Sequence, residues 1–210
     1  MGRQGILIVV SGFSGAGKGT VMKALTDRYD GYALSVSATT RDPRPGEKEG
    51  EAYFFKTREE FEQMIADGAL IEYARYVDNY YGTPRAYVEK QLSQGHDVIL
   101  EIEIQGARKI REQYPEAVLL FVTAKDFATL KERLIGRGTE SEEVIDQRLR
   151  RAVQEAEGIE EYDYLVVNDV LDDCVEEIHR IIDSEHRKIS RNTEFIEQIR
   201  AELNAFAKGE

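Results

Sequence analysis

The chain has 210 residues, large for one domain and small for two, and its 41% apolar content is enough for a packed core, which excludes a disordered chain. A formal charge of -12 excludes a general nucleic-acid or anionic-membrane surface, so an anionic ligand would have to be gathered by a local basic cluster. The single cysteine, Cys174, excludes an internal disulfide and points to a reducing compartment, the cytoplasm.

In chain order, the apolar run Ile6–Val10 predicts a buried strand, and Gly12-Phe13-Ser14-Gly15-Ala16-Gly17-Lys18-Gly19-Thr20 follows it with only Ser11 between. A helix from Lys18 to about Arg28 comes next and Gly31 breaks it. Strand, glycine-rich loop, lysine and helix in that order build a phosphate cradle. Curled backbone amides, the positive end of the helix and the Lys18 charge all face the same anion. The spacing fits the Walker A pattern, except that Gly19 stands where Ser or Thr is expected and Thr20 comes one later.

Alternation over Ala33–Ala38 predicts a short strand. Arg41-Asp42-Pro43-Arg44-Pro45-Gly46 is extended, because prolines bias their predecessors away from helix, and its arginines can converge on one anion. Tyr53–Phe55 reads as strand, Thr57-Arg58-Glu59-Glu60 as a capping box opening a helix, and Leu70–Val77 as strand. Asn79–Gly82 is expected to turn the chain, and Thr83-Pro84 to supply the N-cap and first-turn proline of a helix ending near Gly95. Regular alternation then resumes: strand Asp97–Glu103, helix Gln105–Tyr114, strand Ala117–Thr123 and helix Asp126–Ile135. Arg133 and Arg137 are four apart on one helical face, and Gly136 and Gly138 mark a loop. Thr139–Glu142 reads as a second capping box, starting a helix with Ile145, Leu149 and Val153 on one side and Arg148 nearby. Strand Tyr164–Val167, helix Asp172–Arg187 and an amphipathic helix Glu194–Ala207 complete the chain.

This order predicts an α/β protein: a doubly wound parallel sheet built on a P-loop, with a small mixed α+β insert and a short lid. The expected boundaries are 1–34, 84–135 and 145–190 for the core, 35–83 for the insert, 136–144 for the lid and 191–210 for a C-terminal helix. That last helix could pack on its own core or on a second subunit, which leaves a homo-oligomer open. Ala117–Val122, the longest apolar run, is too short for a bilayer, the N-terminus has no signal-peptide profile, and the three histidines suggest no metal cluster.

A Walker A loop alone leaves open a switch, a motor or a transferase. Arg41 and Arg44 in the insert, with Arg133, Arg137 and Arg148 around the lid, narrow the choice. Phosphoryl transfer spreads negative charge that arginines stabilise, and two basic sets beside a triphosphate loop suggest two phosphorylated substrates face to face.

Several segments carry a more specific resemblance. Gly-Lys-Gly-Thr in the phosphate loop resembles nucleoside monophosphate kinases. Ser35–Gly46, Glu72-Tyr73-Ala74, Tyr80–Thr83, Glu101–Gly106, Arg137–Glu140 and Val167-Asn168-Asp169 resemble guanylate kinases, in that family's order across residues 5–190. The resemblance implies transfer from ATP to GMP with Mg²⁺, giving ADP and GDP. It implies that Ser37, Glu72, Thr83 and Glu103 read guanine, and that Arg41, Arg44, Tyr53 and Tyr81 hold the GMP phosphate. ATP would meet Gly12 to Thr20, Arg133, Arg137 and Asn168, and the catalytic charges would be Lys18, Arg41, Arg137 and Arg148. The physics agrees at Glu72: a carboxylate only accepts, so it suits the N–H donors of guanine and would face a lone pair at N1 of adenine. No general base is needed for an acceptor already ionised, and no protein ligand for Mg²⁺ is assigned beyond Thr20 as a candidate.

The chain departs from the family pattern at Ala38 (usually histidine), at Ala52 (often acidic) and at Ala124-Lys125-Asp126 (a proline-rich turn), which puts loop geometry in doubt but removes no residue assigned to chemistry. Two rival readings are a non-catalytic peptide-binding domain, which would lack parts of the loop and the lid arginines, and a kinase for another phosphate acceptor, which would need a different pocket.

Overall fold

The computed structural model describes residues 4–208, apart from 45, 77 and 137–141. Strand β1 (Leu7–Gly12) leads through the glycine-rich loop to α1 (Lys18–Arg28) and β2 (Tyr32–Leu34). The chain then leaves for β3 (Ala38–Thr39), β4 (Phe54–Phe55), α2 (Arg58–Ala66), β5 (Leu70–Tyr76) and β6 (Asn79–Pro84). It returns through α3 (Arg85–Ser93), β7 (Asp97–Glu101), α4 (Ile104–Gln113), β8 (Val118–Thr123) and α5 (Phe127–Ile135). The last elements are α6 (Glu142–Ala156), β9 (Tyr164–Val167), α7 (Leu171–His186) and α8 (Thr193–Lys208).

The main sheet has five strands in the order β2-β7-β1-β8-β9, and every pairing in it is parallel. The central strand β1 is buried throughout, which explains its unbroken apolar run. Ile6, Ile8 and Val10 pack with Val21, Met22 and Leu25 of α1 and Val175, Ile178 and Ile182 of α7. Leu7 and Val9 face the other way, onto Val88 of α3 and Ala107 and Ile110 of α4. Alternation along one strand thus feeds two cores and requires helices on both faces. The chain passes from β1 outward to β2, comes back to β7, and crosses β1 to reach β8. That reversal places the loop after β1 at the switch point, where open α/β sheets bind ligands.

The second sheet, β4-β3-β6-β5, is mixed: β3 and β4 run parallel while β3–β6 and β5–β6 are antiparallel. Its own small core holds Ala38, Phe61 and Leu70, with Phe54, Met64, Ile65 and Tyr80 packed against them. Helix α2 closes it, with Thr57 and Glu60 forming the expected capping box.

Four expectations need correction. Ala33–Ala38 is not one strand, because β2 and β3 belong to different sheets and the chain crosses between them at Ser35–Ser37. Asn79–Gly82 is strand rather than turn, since the polar and aromatic residues there alternate between the small core and the site. Thr83 does not cap α3; it lies in β6, where its hydroxyl serves Glu72, and Pro84 stands at the cap with no side-chain hydrogen bond. Val153 points outward at 67% exposure instead of inward with Ile145 and Leu149. The capping box expected at Thr139–Glu142 and most of the expected lid at 136–144 lie outside the described residues.

Of the departures from the family pattern, Ala38 is fully buried in β3 and Ala124 is buried behind β8. Asp126 replaces a proline-type turn with a side-chain cap, accepting from the Thr129 amide at 2.7 Å.

The start of β1 is tied across the core. Asp97 Oδ1 accepts from the Ile6 amide at 2.8 Å and lies 2.8 Å from His186 Nε2, joining β1, β7 and the end of α7. Asp97→Ala leaves a buried N–H without its acceptor, and we expect a loss of about 2–3 kcal/mol in denaturant unfolding.

Candidate active site

The glycine-rich loop is built by close approach. A Cβ on Gly12 would lie 2.0 Å from the Val122 carbonyl oxygen of the neighbouring strand. Gly17 adopts φ 86 at the N-cap of α1, and a Cβ there would lie 2.7 Å from Asn168 Nδ2. Asn168, buried at the end of β9, donates from that amide to the Ala16 carbonyl at 2.8 Å and so holds the loop from the opposite strand. Lys18 Nζ donates to the Gly12 carbonyl at 2.6 Å and to that of Phe13 at 3.3 Å, which folds the ammonium back over the loop. Phe13 packs edge-on against Phe121 with centroids 5.0 Å apart.

Two of the expected arginines reach this loop. Arg148 on α6 donates to Ser14 Oγ at 2.8 Å, and Arg133 on α5 reaches the Ala16 carbonyl at 3.5 Å. Arg137 lies outside the described residues. Gly19 and Thr20 are exposed at the start of α1. Gly15 and Ala16 are buried beneath the loop.

A second cluster forms where the mixed sheet faces the main one. Thr39 Oγ1 accepts from the Arg41 amide at 3.2 Å and donates to the Tyr80 carbonyl at 2.9 Å, so the arginine leaves β3 in a fixed direction. Arg41 lies over the Tyr53 ring at 5.4 Å, and the Tyr53 and Tyr81 rings stand 6.0 Å apart. Alternation in β6 sends Tyr81 to this cluster, while Tyr80 stacks on Phe61 in the small core.

The anion on which this segment converges is one the sequence did not single out. Glu47 accepts from Arg41 Nη2 at 2.9 Å through each oxygen, and its Oε2 accepts from the Arg44 backbone amide at 2.8 Å. The Arg44 amide, followed by Arg41, holds the Glu47 carboxyl below its ordinary range. Burial opposes the Arg41 charge, yet Glu47 and Tyr81 raise its affinity for the proton. The expected convergence of two arginines is therefore one guanidinium and one backbone amide, and the Arg44 side chain is exposed.

Glu72 owes its position to a bulge. The β5–β6 register shifts between Leu70 and Glu72, which brings Glu72 opposite Thr83. Gln113 Nε2 donates to the Ile71 carbonyl at the irregularity, at 2.9 Å. Thr83 Oγ1 then donates to Glu72 Oε1 at 2.7 Å. Glu72 is 6% exposed, and burial pushes its carboxyl above the ordinary value while Thr83 and Lys109 pull the other way. Its second oxygen lies close to Gly106, where a Cβ would approach to 3.1 Å. Ser37 precedes β3, and its carbonyl accepts from the Phe54 amide at 2.9 Å.

Glu101, at the end of β7, joins the two clusters. Partial burial lifts its carboxyl, Lys18 opposes that lift, and its charge reaches Tyr53 on the other side. The sequence placed Glu101 in the expected strand Asp97–Glu103 without giving it a role. Glu103 lies two residues on and pairs with Arg151 at 3.1 Å. Among the described residues no group of three or more His, Cys, Asp or Glu could hold a metal. A separate cavity of about 250 Å³ beside α4 is lined by Arg108 and Arg111, which are already paired to Glu161 and Asp163 respectively.

With this geometry in hand, comparison with known proteins is informative. The family model described as guanylate kinase matches residues 4–185. A guanylate kinase of Oceanobacillus iheyensis is 52% identical over 188 residues, covering 90% of this chain and 91% of the relative. One of Caldanaerobacter subterraneus subsp. tengcongensis is 48% identical over 200 residues, covering 95% and 97%. The crystal structure of guanylate kinase from Anaplasma phagocytophilum matches with a TM-score of 0.73 at 33% identity, covering 90% of each chain.

The clamp on Ala16 yields a test of the loop. We expect Asn168→Ala to weaken binding of a fluorescent nucleoside triphosphate about tenfold, measured by titration, with a stability loss of about 1 kcal/mol.

Proposed function

The chain belongs to the guanylate kinase family, and on that premise we propose how its residues carry that family's reaction, transfer of the terminal phosphoryl group of ATP to GMP. The observation that carries the proposal is a pair of unlike anion sites, linked through Glu101 at the end of β7. One is a backbone loop topped by Lys18, and the other is Arg41 with Tyr53 and Tyr81, beside the buried acceptor Glu72.

The donor site is residues Gly12 to Thr20 with Arg133, Arg137, Arg148 and Asn168. The triphosphate replaces the loop carbonyls as the partner of Lys18, because an ionised phosphate oxygen is the stronger acceptor. Arg148, already at the loop through Ser14, and Arg133 at its rim supply charge to the transferring group. Arg137 is assigned the same role from the family pattern. Asn168 orients the loop and borders the site of the adenine base.

The acceptor site is residues 35–83 with Glu103. Arg41, Arg44, Tyr53 and Tyr81 hold the GMP phosphate, which displaces Glu47 from Arg41. Glu72, held by Thr83, accepts from the N–H edge of guanine, with Ser37 and Glu103 completing the reading of the base. Adenine would leave the Glu72 carboxylate facing a lone pair in a buried pocket, and a mismatch of that kind discriminates strongly. The acceptor oxygen is already ionised, so alignment and charge stabilisation do the chemistry.

Mg²⁺ fits this donor set as an ion brought with the nucleotide. With no acidic cluster among the described residues, phosphates and water would supply most ligands, and the exposed Thr20 hydroxyl is the candidate protein ligand. The ion would neutralise charge on the transferring phosphoryl group. Residues 136–144 with the adjoining ends of α5 and α6 act as the lid, closing to exclude water. A cytoplasmic location fits the one cysteine, which is buried and has its thiol raised to about 11.

A coupled assay for ADP release with GMP, AMP, CMP and UMP tests the function: GMP alone should support rapid turnover, and equal use of AMP would defeat the guanine pocket. We expect Glu72→Gln to lower the GMP-to-AMP ratio of kcat/KM by at least about tenfold, with ATP binding unchanged. Unchanged discrimination in that variant would remove Glu72 from the pocket.

A further inference from the structure

Helix α6 carries, beyond Arg148, a pair of side chains that the donor site does not use. Arg151 donates from Nε to Glu155 Oε1 at 3.0 Å and pairs through Nη2 with Glu103 Oε2 at 3.1 Å. One guanidinium therefore stands between two carboxyl groups from different elements, one on α6 and one on the turn after β7. The Glu155 side chain is 11% exposed, and its second oxygen, Oε2, is buried with no donor among the described residues. The Nε and Nη2 that hold the two carboxyl groups lie on one edge of the Arg151 guanidinium, which sets Glu103, another acceptor, beside Glu155. Two ionised carboxylates in contact repel, and a proton held on one of them turns the contact into a short hydrogen bond.

We propose that Glu155 is a positioning residue for the acceptor site: its carboxyl holds a proton between itself and Glu103, donates it to Glu103, and so fixes the direction of that carboxylate. The proposal rests on the reading of Glu103 as a guanine contact. The proton belongs on Glu155 because its side chain is the enclosed one, while the Glu103 side chain is 62% exposed and keeps its charge at lower cost. The charged groups facing Glu155 are Glu103 from the β7–α4 turn, Arg151 from its own helix and Lys18 from the start of α1. Burial and the Glu103 charge raise the Glu155 carboxyl to about 7, against the pull of Arg151 and Lys18. The contact links the base-reading turn to the helix that brings Arg148 to the loop, so ionising Glu155 would loosen the acceptor site from the α6 side.

The folded protein holds this proton more tightly than the unfolded chain. Stability from it is greatest below the ordinary carboxylate value and is lost as the pH rises from about 4.5 to about 7, then stays level. Glu155→Gln donates an N–H to Glu103 at every pH and has no such loss. Its melting temperature should match wild type near pH 4.5 and exceed it increasingly up to about pH 7. In the wild type, KM for GMP should rise about tenfold as the pH passes through neutrality, the equivalent of one hydrogen bond to a charged group, while kcat changes little. The glutamine variant should keep a flat KM, and Glu155→Ala should show the high KM throughout. Carboxyl NMR of wild-type protein carrying ¹³C-labelled glutamate should show one glutamate titrating near neutrality, which needs no variant to fold. Parallel melting of wild type and Glu155→Gln at all pH values, or no such resonance, would overturn the shared proton. A pH-dependent melting gap with parallel KM profiles would overturn the positioning of Glu103. Absence of GMP turnover in wild type would instead defeat the proposed function, and the melting and NMR measurements would still decide where the proton sits.

Discussion

The molecule depends on how closely the backbone between β1 and α1 can lie against β8 and β9. Gly12 touches the Val122 carbonyl, and Gly17 turns under Asn168, so no side chain fits at either point. Those contacts set the curl of the loop whose amides a phosphate would meet. They also explain why the central strand is so apolar. A loop set this tightly needs strands on both sides that do not shift, and β1 is held by parallel partners and by helices on both faces. Packing in the core therefore sets the precision of the anion site.

Much of this was legible in the sequence because it rests on local rules. The Walker spacing fixed the loop, the apolar run marked β1, and the Thr57 capping box appears where its four residues predicted. The parallel core followed from alternation of strands and helices. What the sequence hid depends on distant partners. Tyr80 and Tyr81 resemble a turn when taken alone, because only pairing with Thr39 and Ala74 makes them strand. Thr83 before a proline looks like a helix cap until the bulge in β5 turns Glu72 toward it. A bulge has no composition of its own, and its signature is a register that only two strands together define.

Glu47 shows the same limit at the level of charge. It lies in a loop rich in charged residues, where a carboxylate is expected to be solvated. The structure gives it three hydrogen bonds from Arg41 and the Arg44 amide. A carboxylate offers Arg41 the acceptor chemistry of a phosphate with a smaller charge. Holding Arg41 this way keeps the guanidinium ordered. On the proposed assignment a phosphate displaces the carboxylate, which costs affinity, but it is spared the cost of ordering a long side chain.

A protein with a net charge of -12 that binds two anions has to arrange its cations locally. On the proposed assignment the donor loop uses backbone amides and one lysine, so its attraction does not depend on the surface charge around it. The cluster assigned to the acceptor instead matches arginine to carboxylate, as Arg41 is matched to Glu47 and Arg151 to Glu103 and Glu155. Each such pair keeps a cation in place without leaving it unpaired in a partly buried setting, where lone charges are expensive. The same acidic residues that give the surface its sign therefore also keep these arginines organised.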